Sequence, residues 1–114
     1  MKRLFTVIAS LLVVLFITSC EEEEEISVKY EVKSSISRID VSYVDIHGDI
    51  LFKEDVPVPW SYSFYYTKGE FVFLWAEIKA FTGSVTVTIF RKHELWKTDT
   101  SSGEHATATV SGKL

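Results

Sequence analysis

Cys20 is the only thiol in the sequence, and its surroundings select one kind of chemistry. It follows Ile17-Thr18-Ser19, an aliphatic residue and two small ones, and precedes five consecutive glutamates, Glu21, Glu22, Glu23, Glu24 and Glu25. That arrangement suits cleavage of the chain in front of the cysteine and attachment of lipid to it. No other set of residues is arranged for reaction. His47, His93 and His105 each sit at or beside a predicted turn, and no pair of them has the HxH or HxxxH spacing of metal ligands. Asp40, Asp45 and Asp49 lie near Gly48, but the loop lacks the alternating oxygens and closing glutamate of a calcium site. Capping of a hairpin turn accounts for them better. The serines and threonines are scattered along strands at the solvent-facing phase, with no positioned base. There is no GxSxG elbow and no glycine-rich phosphate loop. Nothing singles out a pair of carboxylates for glycosidic chemistry. The expectation is a protein that is not an enzyme and holds neither cofactor nor metal.

The stretch around Cys20 resembles the lipobox of bacterial lipoproteins. Lys2 and Arg3 form a basic start, and Leu4 to Ile17 form an apolar run. That run is shorter than the roughly 20 residues a membrane-spanning helix needs, and it has the length of a signal-peptide core. Residues 1–19 are thus expected to leave as a signal peptide, with Cys20 as the lipidated new N-terminus. One acyl chain anchors only marginally. Two or three, at about 0.8 kcal/mol per buried CH₂, hold a protein on a membrane essentially permanently. Residues 20–25 then form a lipidated, acidic tether. A block of like charges is solvated and repels itself. The run Glu21-Glu22-Glu23-Glu24-Glu25 also resembles the acidic export signal of Bacteroidota lipoproteins. That implies the outer face of the outer membrane, with the periplasmic face as the alternative.

Of the 114 residues, 95 remain once 1–19 are removed, enough for one domain. Ten basic residues then face 16 acidic ones, and five of the negative charges are the glutamate run. The domain proper, residues 26–114, is therefore close to neutral and carries no basic stripe, which argues against nucleic acid as a partner. With its one cysteine lipidated, the domain has no disulfide and depends on its core alone.

Residues 26–114 are written almost entirely in a period of two, which predicts strands. Ile26, Val28, Tyr30 and Val32 alternate with polar residues, as do Ile39, Val41 and Tyr43. Asp45 to Asp49 has turn composition, and Ile50, Phe52 and Val56 begin the returning strand. Val56-Pro57-Val58-Pro59-Trp60 removes two ladder donors, so it must be an edge, a crossover or an extended connection between sheets. Tyr62, Phe64 and Tyr66 share the next face and end at Lys68-Gly69. Val72, Leu74, Ala76 and Ile78 alternate with Phe71, Phe73, Trp75 and Glu77. Val85, Val87 and Ile89 follow, then a hairpin tip at Lys92-His93, and Ala106, Ala108 and Val110 close the chain. The pattern predicts an all-β, immunoglobulin- or transthyretin-like antiparallel sandwich of about seven strands.

Val28-Lys29-Tyr30-Glu31-Val32, Val41-Ser42-Tyr43-Val44-Asp45, Pro59-Trp60-Ser61 and Thr100-Ser101-Ser102-Gly103 together resemble the MmpS family, in order and at comparable spacing. Members are small membrane-anchored β-sandwich proteins that accompany RND-type exporters. This sequence differs in having a lipobox in place of a transmembrane helix. The resemblance implies an accessory module with a protein partner in the cell envelope. Phe71, Phe73 and Trp75 form a possible contact patch if Val72, Leu74, Ala76 and Ile78 face the core. The alternative is a surface lipoprotein that binds glycans or small ligands through exposed aromatic rings.

Overall fold

Period-two alternation does place the apolar side chains of this chain between two sheets. The computed structural model describes residues 24–114. The expected signal peptide, the expected lipidation site Cys20, and Glu21, Glu22 and Glu23 of the expected export signal lie outside the described residues. The strands are β1 (Glu25–Ser34), β2 (Arg38–Val44), β3 (Ile50–Pro57), β4 (Trp60–Thr67), β5 (Phe71–Glu77), β6 (Ser84–Arg91), β7 (Glu94–Ser102) and β8 (Thr107–Lys113). They form two four-stranded sheets, ordered β4-β1-β6-β7 and β3-β2-β5-β8. Every paired neighbour is antiparallel. This is the expected all-β sandwich, with eight strands where the pattern predicts about seven.

The strand least marked by the pattern is β7, which follows the expected hairpin tip at Lys92-His93. It is a sheet edge with most of its residues exposed, so burial imposes no apolar alternation on it. Cross-strand hydroxyl pairs help to hold it in place. Thr86 Oγ1 lies 2.9 Å from Thr100 Oγ1, and Thr88 Oγ1 lies 3.2 Å from Thr98 Oγ1.

Between the sheets, Ile26, Val28, Tyr30 and Val32 of β1 meet Ile39, Val41 and Tyr43 of β2. Val72, Leu74 and Ala76 of β5 lie there too, with Val85, Val87 and Ile89 of β6. All are essentially closed to solvent. An aromatic cluster ties the two layers together. The Tyr43 ring is 5.8 Å from Tyr30, 5.1 Å from Tyr62 and 4.9 Å from Trp60. The Tyr30 hydroxyl donates to the Val44 carbonyl at 2.7 Å, so the one polar atom of that buried ring is satisfied. Burial pushes the Tyr30 phenol well above its ordinary pKa.

Of the roles open to the proline segment, the structure shows an edge strand that runs into a sheet-to-sheet connection. β3 and β4 are edge strands of opposite sheets, and the chain passes from one to the other between Pro57 and Trp60. Trp60 enters the core margin there, half-buried against Tyr43.

One local feature departs from plain alternation. An unbroken period of two would set Ile50, Phe52 and Val56 on one face. The pairing of β2 with β3 instead slips between Ile39 and Val41, where Glu54 and Asp55 together oppose Asp40. This bulge reverses the phase. Leu51 and Val56 pack on the core, while Ile50 and Phe52 point to solvent. Asp55 takes a left-handed backbone, φ 54°. Its N–H donates to Asp40 Oδ1 at 3.0 Å, which satisfies a donor freed by the bulge.

Candidate contact face and anchor end

β5 is apolar on both sides but covered on only one. Val72, Leu74 and Ala76 are fully buried between the sheets, and Phe71, Phe73 and Trp75 stand on the outer face. Phe71 is 55% exposed, whereas Phe73 and Trp75 are half-buried. The bulge in β3 adds two residues to this face, Ile50 at 70% and Phe52 at 55% exposure.

Register makes these residues one stripe. Ser42 is paired with Phe52 on one side and with Trp75 on the other. The two rings reach over it to 6.1 Å between centroids. The Ser42 hydroxyl donates to the Leu51 carbonyl at 3.0 Å and so makes no demand on solvent. Val44, paired with Ile50, has the outer phase yet is only 5% exposed. Its large neighbours on that face must therefore lie over it. The stripe is bordered by Thr109, Ser111 and Lys113 of β8. At its far end Asp40 binds Lys79, with Oδ2 3.1 Å from Nζ. The hydrogen bond and charge of Asp40 raise the Lys79 pKa above its ordinary value. An apolar centre within a polar rim is the layout of a protein-binding surface.

Of the expected patch, Phe71, Phe73 and Trp75 share this face, as the phase of β5 requires. Ile50 and Phe52 belong to it as well and were missed. The only sequence signal for them is the odd spacing from Leu51 to Val56, two apolar residues that can share a face only if an extra residue is looped out between them.

The acidic run divides between what the structure describes and what it does not. Glu21, Glu22 and Glu23 fall outside the described residues, whereas Glu24 and Glu25 lie at the end of the domain where the chain arrives from Cys20. β1 already begins at Glu25, one residue before the expected domain start at Ile26. The Glu24 carbonyl accepts the Lys68 N–H at 2.8 Å. Its carboxylate lies 3.3 Å from Lys92 Nζ and 3.6 Å from Lys68 Nζ. Lys92, and then Lys68, hold the Glu24 carboxyl below the usual carboxylate range. The last two residues of the run, expected as tether, are therefore part of the fold. Their backbone is taken up by β1 and by the turn after β4, which solvation of like charges alone does not foresee. Four peptide links join Cys20 to Glu24, a reach of at most about 14 Å.

The histidines do not assemble a site. His47 lies in the β2–β3 turn, where its backbone N–H donates to Asp45 Oδ1 at 2.9 Å. The Asp49 N–H donates to the same oxygen at 3.0 Å, so buried Asp45 caps that turn. His93 is at the β6–β7 hairpin tip, and His105 is in the β7–β8 connection beside Phe81. Among the described residues no three His, Cys, Asp or Glu side chains are grouped to hold a metal ion. Among the same residues no helix is long and apolar enough to cross a membrane. No protein-family model matches the sequence, and no curated protein is similar to it.

Proposed function

We propose that this protein is a lipoprotein held on the outer membrane through Cys20, where it serves as a non-enzymatic accessory module. In this reading the Ile50–Phe52–Phe71–Phe73–Trp75 face receives a protein partner standing in the same envelope. The observation that carries the proposal is the contiguous apolar stripe on a sheet face that no other described residue covers. Large aromatic side chains at the centre of a patch are the usual source of binding energy between proteins. The tether supports the same partner class, because a domain whose first strand starts five residues after the lipidated cysteine stays close to membrane-embedded neighbours. The MmpS resemblance suggests the kind of neighbour, a component of an RND-type exporter.

Site-specific photo-crosslinking in cells tests the contact. A benzophenone side chain at 52, 71 or 75 should yield one protein adduct. The same group at Thr86 or Thr100, on the other sheet, should not. Adducts to phospholipid alone would mean that the face lies on the bilayer, and equal adducts from both sheets would mean that no face is preferred. Mass spectrometry of membrane-extracted protein tests the anchor. Residues 1–19 should be absent and acyl mass should be present on Cys20, and a free thiol there would defeat the reading. Surface display is tested by changing Glu21, Glu22 and Glu23 to alanine, which leaves the Glu24 contacts in place. The variant should lose accessibility to external protease while remaining lipidated.

A further inference from the structure

We infer that the opposite sheet carries a second site, a groove for a pyranose saccharide, formed by Ser27, Lys29, Ser63, Tyr65, Phe90 and His93. The groove has a volume of about 400 Å³, within the range of roughly 300–1,000 Å³ of small-molecule sites. It lies on the outer face of β4-β1-β6. Its floor is the backbone around Val28 and Phe64, whose side chains turn into the core.

Register fixes where the walls stand. Tyr65 on β4 is opposite Ser27 of β1, while Lys29, two residues further along β1, is flanked by Ser63 on β4 and Phe90 on β6. The two rings thus rise diagonally across the central strand, from strands about 10 Å apart. Tyr65 is 64% exposed. Lys29 reaches along one wall, its Nζ 5.7 Å from the Phe90 centroid, and keeps a 3.6 Å contact with Glu31.

The chemistry of the lining is mixed in a particular way. Aromatic faces alone would suit any apolar ligand, and hydroxyls alone would suit water. Here the two aromatic walls enclose Ser27, Ser63, Lys29 and His93. A pyranose matches that combination, since its C–H faces stack on aromatic rings while its hydroxyls exchange hydrogen bonds around the rim. The hydroxyls on the neighbouring part of this sheet behave differently. Thr86 and Thr88 are paired with Thr100 and Thr98. Among the described residues, the Ser27, Ser63, Tyr65 and His93 side chains have no such partner. Their hydrogen-bonding capacity is open to a ligand.

The β6–β7 hairpin turn sets one side of the rim. Lys92 and His93 form the two-residue β6–β7 loop with φ 53° and 67°, a conformation that glycine and asparagine adopt most readily. Lys92 has a structural occupation, its contact with Glu24. His93 shares the turn with Lys92, and its side chain lines the groove.

The test uses the mature lipoprotein in a phosphocholine detergent, which presents no sugar head group. Cellotriose, chitotriose and maltotriose are titrated against it and followed by amide NMR and calorimetry. Dodecyl maltoside is a separate arm that distinguishes a glycolipid head group from a free oligosaccharide. At least one sugar should shift the amides of Ser27, Lys29, Ser63, Tyr65, Phe90 and His93. Tyr65→Ala and Phe90→Ala should each weaken binding about tenfold, and Trp75→Ala should leave it unchanged. His93→Gly should raise the melting temperature by relieving the left-handed backbone while weakening the sugar. The inference is overturned if no sugar shifts these amides at about 10 mM. It is also overturned if the shifts fall on the Phe52–Trp75 face, or if Tyr65→Ala and Phe90→Ala bind like wild type. Sugar shifts on the Phe52–Trp75 face would also count against the protein-partner reading of that face, whereas the other outcomes leave it untouched, because the two sites share no residue.

Discussion

On the outer face of the β4-β1-β6-β7 sheet, the residues that alternate with the core include Lys29, Glu31, Lys33, Thr86 and Thr88. On the outer face of the β3-β2-β5-β8 sheet they include Ile50, Phe52, Phe71, Phe73 and Trp75. The first set is largely satisfied from within. Glu31 lies 3.6 Å from Lys29 and 3.5 Å from Lys33, and the threonines pair across β6 and β7. The second set has mainly other apolar side chains to touch, as in the Phe52–Trp75 contact. A sheet buried on one side needs only one apolar face, so a second apolar face adds little to the fold and is available for contact. The partner-binding role proposed above rests on this difference between the sheets. On the other face the aromatic content is confined to the groove.

The largest test of that contrast sets Trp60 against Trp75. Both rings are half-buried, but Trp60 bridges to Tyr43 between the sheets whereas Trp75 lies on the outer surface. Trp60→Ala should cost about 3 kcal/mol, the lower end for aromatic truncation in a core, and Trp75→Ala about 1 kcal/mol. Urea melts of the two variants give both numbers, and equal losses would show that the outer ring also serves the fold.

Gly112 offers a smaller effect on the inner side of β8. A Cβ placed there would lie 2.5 Å from a carbon of the Trp96 ring. The indole fills the space that the missing side chain leaves beside β7 and β8. Gly112→Ala should therefore destabilise by about 2 kcal/mol, as overpacking does. An unchanged melt would show that Trp96 can swing aside without cost.

The bulge that turns Ile50 and Phe52 outward can be probed with a change of opposite sign. Asp55→Gly removes the side-chain penalty at φ 54° and keeps the N–H that Asp40 accepts. It gives up the exposed Arg38–Asp55 ion pair, which is worth little. A net gain of about 0.5 kcal/mol is expected. A loss would mean that the pair with Arg38, and not the backbone, sets the bulge.

The smallest effect concerns the start of β1 and depends on pH. The Glu24 carboxyl titrates below its ordinary value because of Lys92 and Lys68. A folded-state pKa below the unfolded one means that the contribution is present above the unfolded value. It is lost as pH falls through the lowered folded value. Thermal melts should thus show a small acid-side loss of stability in the wild type that is missing in Glu24→Gln. Identical pH profiles would show that the two lysines contribute nothing to holding the start of β1.

Much of the fold is legible because burial imposes a period of two. Val72, Leu74 and Ala76 are fully enclosed, as their alternation requires, and the prolines mark the sheet-to-sheet crossover for want of ladder donors. β7 was legible only through the hairpin tip at Lys92-His93, since an exposed edge strand carries no such alternation. The candidate face was half legible. Phe71, Phe73 and Trp75 follow from the phase of β5, but nothing in the β5 sequence says whether a further layer covers them.

The sequence by itself determined the strand periods, the turns at Lys68-Gly69 and Lys92-His93, and the inward residues of β1, β2, β5 and β6. These follow from local propensity and from the alternation that one buried face enforces. Only the tertiary structure decided that Ile50 and Phe52 join the outer stripe and that Tyr65, Phe90 and His93 meet around Lys29. The groove depends on register between strands distant in sequence, and in the consecutive pair β2–β3 one extra residue opposite Asp40 is enough to reverse which face a side chain occupies.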